Sequence, residues 1–274
     1  MKRGPKRRKM MDKLPITEHL GELRKRLMLS LGAVVIVAGV CFYFSEDIFS
    51  MLTLPMNSSL KLSAGFPFFS FEPLATRHEL VFLAPAEALW MHIKVSLISG
   101  LVISSPLLLY EFWAFVAPGL MPKEKKYVVP FIAATTFLFL LGALFCFIIV
   151  LPFAMNFLLN YKTGVLKPML SVGKYIDFCL KFILAFGAIF ELPVVLVFLT
   201  RMGIVTPESL GKNRKYAIVL AFVAAALITP TPDAFNQTLM ALPIILLYEA
   251  GILASKVLRV KQKDVENDKT SPPA

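Results

Sequence analysis

The stretch VVPFIAATTFLFLLGALFCFIIVL, from Val128 to Leu151, contains no charged residue. It is long enough for a helix crossing a hydrocarbon core of about 30 Å. Five more blocks of the same kind flank it, so that spans are expected at about 27–44, 89–109, 128–151, 176–200, 216–229 and 234–255. Composition agrees: 57% of the 274 residues are hydrophobic and 17% are charged, against roughly 25% charged in a soluble domain. The mean hydropathy is +0.70. The fold class this predicts is an all-α membrane protein with six transmembrane helices.

A net charge of +11 would also fit a nucleic-acid binder, and the placement of the basic residues decides against that. They lie between the apolar blocks. The segment from Lys2 to Arg26 precedes the first, and Lys256, Arg259, Lys261, Lys263 and Lys269 follow the last. Lys123, Lys125 and Lys126 separate blocks two and three, and Arg201, Lys212, Arg214 and Lys215 separate four and five. The remaining connections are poor in cations. The positive-inside rule therefore puts both termini in the cytoplasm. The first block has too long an apolar run for a cleaved signal peptide and ends at Cys41-Phe42-Tyr43-Phe44 without a small-residue cleavage site. With no transit-peptide pattern before it, a bacterial inner (plasma) membrane is the expected location.

Three regions follow from these patterns. A basic disordered arm occupies 1–13, one membrane domain 14–258 and a disordered cytoplasmic tail 259–274. Ile16, Leu20, Leu23 and Leu27 have helical spacing, with Glu18, Glu22 and Arg26 on another face, so a short amphipathic helix leads into the first span. The loop at 45–88 is long enough to form a cap over the outer helix ends, and its Phe66-to-Phe71 run suits an interfacial belt. Pro85 and Glu87 mark a helix start. Spans five and six are expected to be short: 216–229 reaches only about 21 Å at 1.5 Å per residue. Thr229-Pro230-Thr231-Pro232-Asp233 is a tight outer turn, after which Asp233 caps the sixth span.

Four carboxylates need an explanation. Glu191 lies deep in span four, where an ionised acid costs about 2.5 kcal/mol or more. Pro193, two residues on, lacks an N–H and frees the carbonyl of Ile189. The two polar groups define either a pocket for a substrate group or water, or an interhelical hydrogen bond from a protonated acid. Glu22 stands before Arg24-Lys25-Arg26, and Glu124 stands within Lys123-Glu124-Lys125-Lys126. By spacing alone, Glu22 pairs with Arg26 at i,i+4, a contact worth about 0.2 to 0.5 kcal/mol. Glu249 stays open between pairing and function. Lys94 and Lys181 are read as side chains that snorkel to the interface.

Chemistry-bearing motifs are missing. His78-Glu79 begins an HExxH, but Phe82 stands where the second histidine would be. Cys41, Cys146 and Cys179 are odd in number, lack metal-ligand spacing and read as small apolar fillers. An enzyme is not expected, nor is any cofactor, metal or nucleic-acid partner. A small-solute transporter using Glu191 would show two related halves with interrupted helices, and no such internal echo is visible.

Four motifs in order resemble the TatC family, the signal-peptide receptors of the twin-arginine protein translocase. They are Thr17-Glu18-His19-Leu20-Gly21-Glu22-Leu23-Arg24-Lys25-Arg26, the run from Trp113 to Leu120 followed by Glu124, Phe190-Glu191-Leu192-Pro193, and Pro232-Asp233-Ala234-Phe235-Asn236-Gln237. The resemblance covers about 14–255. It implies a glove-like concave six-helix bundle that helps export folded proteins on the proton-motive force. It also implies several copies in a receptor complex, with TatA-type and TatB-type single-span subunits and twin-arginine precursor proteins as partners. Carried over by motif, Glu22 and Glu124 correspond to the signal-peptide acids with Arg24 and Phe115 nearby, and Glu191 to an intramembrane polar site. Pro55, Asp233 and Gln237 correspond to structural or partner contacts.

Overall fold

The computed structural model describes residues 16–62, 69–73, 80–116, 128–160, 169–229 and 233–270. The lead-in helix and the first span form one helix, α1 (Ile16–Tyr43), because its apolar spacing runs on without a break. A turn at Phe44 leads to α2 (Ser45–Asn57), whose first turn holds Glu46 and Asp47 where negative charge complements the helix dipole. An antiparallel hairpin follows, β1 (Ser58–Leu62) with β2 (Phe69–Pro73). The long loop after the first span thus has its own structure, although part of the phenylalanine run lies outside the described residues. β3 (Leu80–Val81) pairs in parallel with β4 (Leu170–Ser171), so the segments that lead into the second and fourth spans are joined.

α3 (Glu87–Val116) starts at the expected acid. The Glu87 carboxylate accepts from the N–H groups of Leu83 at 2.6 Å, Ala84 at 3.3 Å and Gly173 at 2.7 Å, and from the Ser171 hydroxyl. One side chain therefore satisfies donors at the heads of two spans, a role beyond capping its own helix.

Span three bends. α4 (Val128–Phe145) passes through a π-helical turn at Cys146–Val150 into α5 (Leu151–Asn160). Pro152 has no N–H for the carbonyl of Ile148, and the wider turn accommodates the lost bond. Span four also breaks, at Glu191, between α6 (Val172–Phe190) and α7 (Leu192–Arg201). The Glu191 N–H turns back to Ala188 O at 3.2 Å, a tighter turn than the α-helical one, and Pro193 opens α7. Beyond Gly203, whose φ of +72° suits glycine, come α8 (Pro207–Lys212) and α9 (Arg214–Ile228).

The last helix, α10 (Ala234–Thr270), corrects two expectations. Its apolar portion, Ala234–Leu258, has 25 residues, so of the two spans expected to be short only α9, with 15, is short. The tail expected to be disordered from 259 is helical to Thr270. No glycine or proline interrupts the chain between Gly251 and Thr270, so nothing in the local sequence stops the helix after its apolar portion. Residues 1–15 and 271–274 lie outside the described residues, and with them the basic arm.

The spans pack as a row: α1 against α3, α3 against α4 and α6, α6 into α7, α7 against α10, and α10 against α9. The core lies around α6, where Ile176, Cys179, Phe182 and Phe186 are fully buried against Cys146, Val150 and Leu151. All three cysteines are free and buried, as apolar fillers should be. α1 has most of its length on α3 alone, and Leu27, Leu31, Val35 and Ile36 remain exposed on its outer face. An apolar face of that kind belongs in lipid.

Gly100 sets the α1–α3 approach. A Cβ there would stand 2.8 Å from the backbone of Ala38, closer than packed atoms tolerate. Gly100→Val is expected to wedge α1 from α3 and to cost about 1–3 kcal/mol. A thermal unfolding scan of the purified protein checks this, and an unchanged midpoint would show that the helices have slack.

Candidate functional site

The start of α1 and the end of α3 meet in a compact polar cluster. On α1, His19, Glu22 and Arg26 follow each other at three and four residues and so share one face. On α3, Glu111 and Phe115 do the same. Antiparallel packing brings the two faces together. The His19 ring stacks on Phe115 with centroids 4.3 Å apart and planes 10° from parallel. His19 Nδ1 stands 4.0 Å from Glu22 Oε2.

Arg26 joins the helices. Its Nε and Nη2 donate to Glu22 Oε1 at 3.0 and 2.6 Å, and its Nη1 donates to Glu111 Oε2 at 2.8 Å. The i,i+4 pair read from the sequence is therefore present, but the same guanidinium is shared with a second acid 85 positions away. The Glu22 side chain is 27% exposed and that of Glu111 only 11%, so Glu22 faces the water and Glu111 lies beneath. Sequence reasoning missed Glu111. Its only local signal is an acid near the end of an otherwise apolar helix.

The other expected residues are placed as follows. Arg24 is exposed on a different face of α1 from Glu22 and Arg26. Phe115 is in the cluster, through its contact with His19. Glu124 lies outside the described residues. Next to the cluster, Trp113 is buried, stacks on Phe131 at 5.2 Å and meets the edge of Phe198 at 4.8 Å, which ties α3 to α4 and α7.

Glu191 is apart from the cluster, at the α6–α7 break. Among the described residues its Oε1 is buried without a hydrogen-bond partner. The alternative of an interhelical hydrogen bond through that oxygen is absent from this arrangement. Pro55 is buried in the last turn of α2. Asp233 caps α10 as expected, accepting from Asn236 N at 2.7 Å and Asn236 Nδ2 at 2.9 Å. Gln237 Nε2 donates to Phe222 O at 3.1 Å, tying α10 to α9.

Two lysine and glutamate readings change. Lys94 does not simply snorkel: its Nζ pairs with Asp177 Oδ1 at 2.7 Å and links the first turns of α3 and α6. Glu249, left open by the sequence, forms a two-point pair with Arg214, Nε to Oε1 at 2.6 Å and Nη2 to Oε2 at 2.9 Å. Tyr248 donates to Leu210 O at 2.9 Å beside it. These contacts join α10 to the start of α9 and to α8.

Comparison with known proteins puts the arrangement in context. The family model described as "Sec-independent protein translocase protein (TatC)" matches residues 18–243. The Sec-independent protein translocase protein TatC of Aquifex aeolicus is 43% identical over 255 residues, covering 92% of this chain and 99% of its own. That of Desulforapulum autotrophicum is 40% identical over 260 residues, covering 95% and 90%. A crystal structure of the twin-arginine translocase receptor TatC superposes with a TM-score of 0.72 at 43% identity, over 87% of this chain and 98% of that one.

Proposed function

The chain belongs to the TatC family of Sec-independent protein translocase proteins, and we propose that Glu22 and Glu124 are the acids with which it takes up the two arginines of a signal peptide. It is a multi-pass membrane protein and a receptor component of a protein translocase, not an enzyme. As a translocase component it works in a complex with other subunits.

The observation that carries the site assignment is that Glu22 already accepts a guanidinium. It is presented at the water-facing end of α1, beside the His19–Phe115 stack, and it holds Arg26 through two donors. A guanidinium is a planar fork of donors that an ammonium cannot reproduce. Two acids and an aromatic platform suit a pair of arginines, and the surrounding cations disfavour binding of cations that lack the right geometry. Glu191 supplies a polar pocket at the break of span four. Its unpartnered oxygen is available to a substrate group or to water entering the concave side.

In this reading both termini are cytoplasmic and the membrane is the bacterial inner membrane, as the distribution of cations favours. The partners are TatA-type and TatB-type single-span subunits and folded precursors carrying twin-arginine signals. Several copies of the chain assemble, and the proton-motive force drives export. A pull-down of the purified receptor with a twin-arginine signal peptide and with its Lys-Lys counterpart tests the assignment. Retention of the first and loss of the second are expected; equal capture of both would remove the basis for it.

A further inference from the structure

Arg26 raises a question that signal recognition by Glu22 leaves open. An acid meant to receive a guest guanidinium is already occupied by a guanidinium of its own helix. That guanidinium uses three donors on two acids, Nε and Nη2 on Glu22 and Nη1 on Glu111. The acids are not equivalent, since the Glu22 side chain is the more exposed and Glu111 is buried at the α1–α3 contact. A guest arriving from water reaches Glu22 first, and Glu111 stays with Arg26.

We propose that Arg26 is a built-in competitor for the signal peptide's arginine, and that Glu111 is the positioning residue that keeps hold of Arg26 when the guest displaces it from Glu22. The proposal rests on the reading of Glu22 as a signal-peptide acid. The charges support such an exchange. Two acids and one arginine leave one negative charge over, which the guest neutralises, whereas without Glu111 the displaced Arg26 would stand unpaired beside an incoming cation. Competition also sharpens discrimination. A guanidinium can replace the fork-shaped contacts that Arg26 gives up, and a lysine ammonium offers a point charge in their place. The occupant thus raises the threshold for lysine more than for arginine.

The test uses the full-length receptor in lipid nanodiscs, with a fluorescent twin-arginine signal peptide and its Lys-Lys counterpart as probes. Glu111→Gln is expected to weaken twin-arginine binding about tenfold, since Arg26 then has no second partner and stays on Glu22. Arg26→Gln is expected to tighten binding and to narrow the gap between the two peptides. In the Arg26→Gln background, Glu111→Gln should have no further effect, because there is nothing left for it to hold. Lys25→Gln removes the same charge one residue away and should change binding less than Arg26→Gln. Arg26→Lys keeps the charge but loses the fork, so it narrows the gap too and serves if the glutamine variant does not fold.

Equal weakening by Glu111→Gln with and without Arg26 would overturn the proposal, as would an Arg26→Gln effect no larger than that of Lys25→Gln. Glu22→Gln separates the two levels of the argument. If it leaves the preference for arginine intact, the signal-peptide reading of Glu22 fails; if it abolishes that preference while the Arg26–Glu111 coupling is missing, only the displacement fails.

Discussion

Charge reversal, as Glu22→Lys or Glu124→Lys, is expected to abolish crosslinking between the receptor and a twin-arginine precursor while the receptor still inserts into the membrane. For Glu22 the structure supplies the reasons. The change removes the acceptor of two Arg26 donors and sets a fourth cation beside Arg24, Lys25 and Arg26. A guest arginine then meets repulsion where it met a carboxylate. Removing one partner of a close charge pair costs about 2–5 kcal/mol, at least about thirtyfold in affinity. Insertion is spared because, in the proposed orientation, an added cation at the amino-terminal end of the first span reinforces the positive-inside bias. Site-specific photocrosslinking reports the loss, and protease accessibility reports insertion. Undiminished export by both variants would refute the assignment. The same pair of measurements on Glu124→Lys reads an acid that lies outside the described residues.

The second large effect is expected at Glu191, where leucine should be worse than glutamine. Glutamine retains hydrogen-bonding capacity without charge, while leucine removes it from the break between α6 and α7. If a substrate group or water uses that capacity, the leucine variant loses about tenfold or more in export, the scale of a hydrogen bond to a charged group. Stability should move the other way. Glu191 Oε1 is buried without a partner among the described residues, and replacing an unsatisfied buried polar group by an apolar one is neutral or stabilising. Glu191→Leu should therefore unfold at the same temperature as the unchanged receptor or higher, and still export poorly. Equal export by the two variants, or a lower unfolding temperature for leucine, would assign Glu191 a structural role instead.

These two acids show how differently a residue's role can be written. Glu191 stands out in the sequence, because an acid deep in an apolar block with a proline two residues on is a local anomaly, although its role was left open there between a pocket and an interhelical hydrogen bond. The helix breaks there as the missing Pro193 N–H requires. Glu22 was legible only in part. Spacing predicts its pair with Arg26, and the structure contains that pair. Spacing is silent on Glu111, which turns a surface pair of small energetic value into a bridge between two helices.

The sequence by itself determined the membrane helices, the acids that start α3 and α10, the carbonyl left free by Pro193 and the apolar role of the cysteines. Each depends on neighbours within a turn or two: whether a peptide N–H exists, whether a carboxylate stands where free N–H groups need an acceptor, whether a block lacks charge. Only the tertiary structure decided that Arg26 reaches Glu111, that Lys94 meets Asp177, that Arg214 holds Glu249 and that β3 joins β4. Those partners are 85, 83, 35 and about 90 positions apart. They meet because helices pack in one register, set by close approaches such as Gly100 on Ala38, and no local pattern encodes which faces will be pressed together.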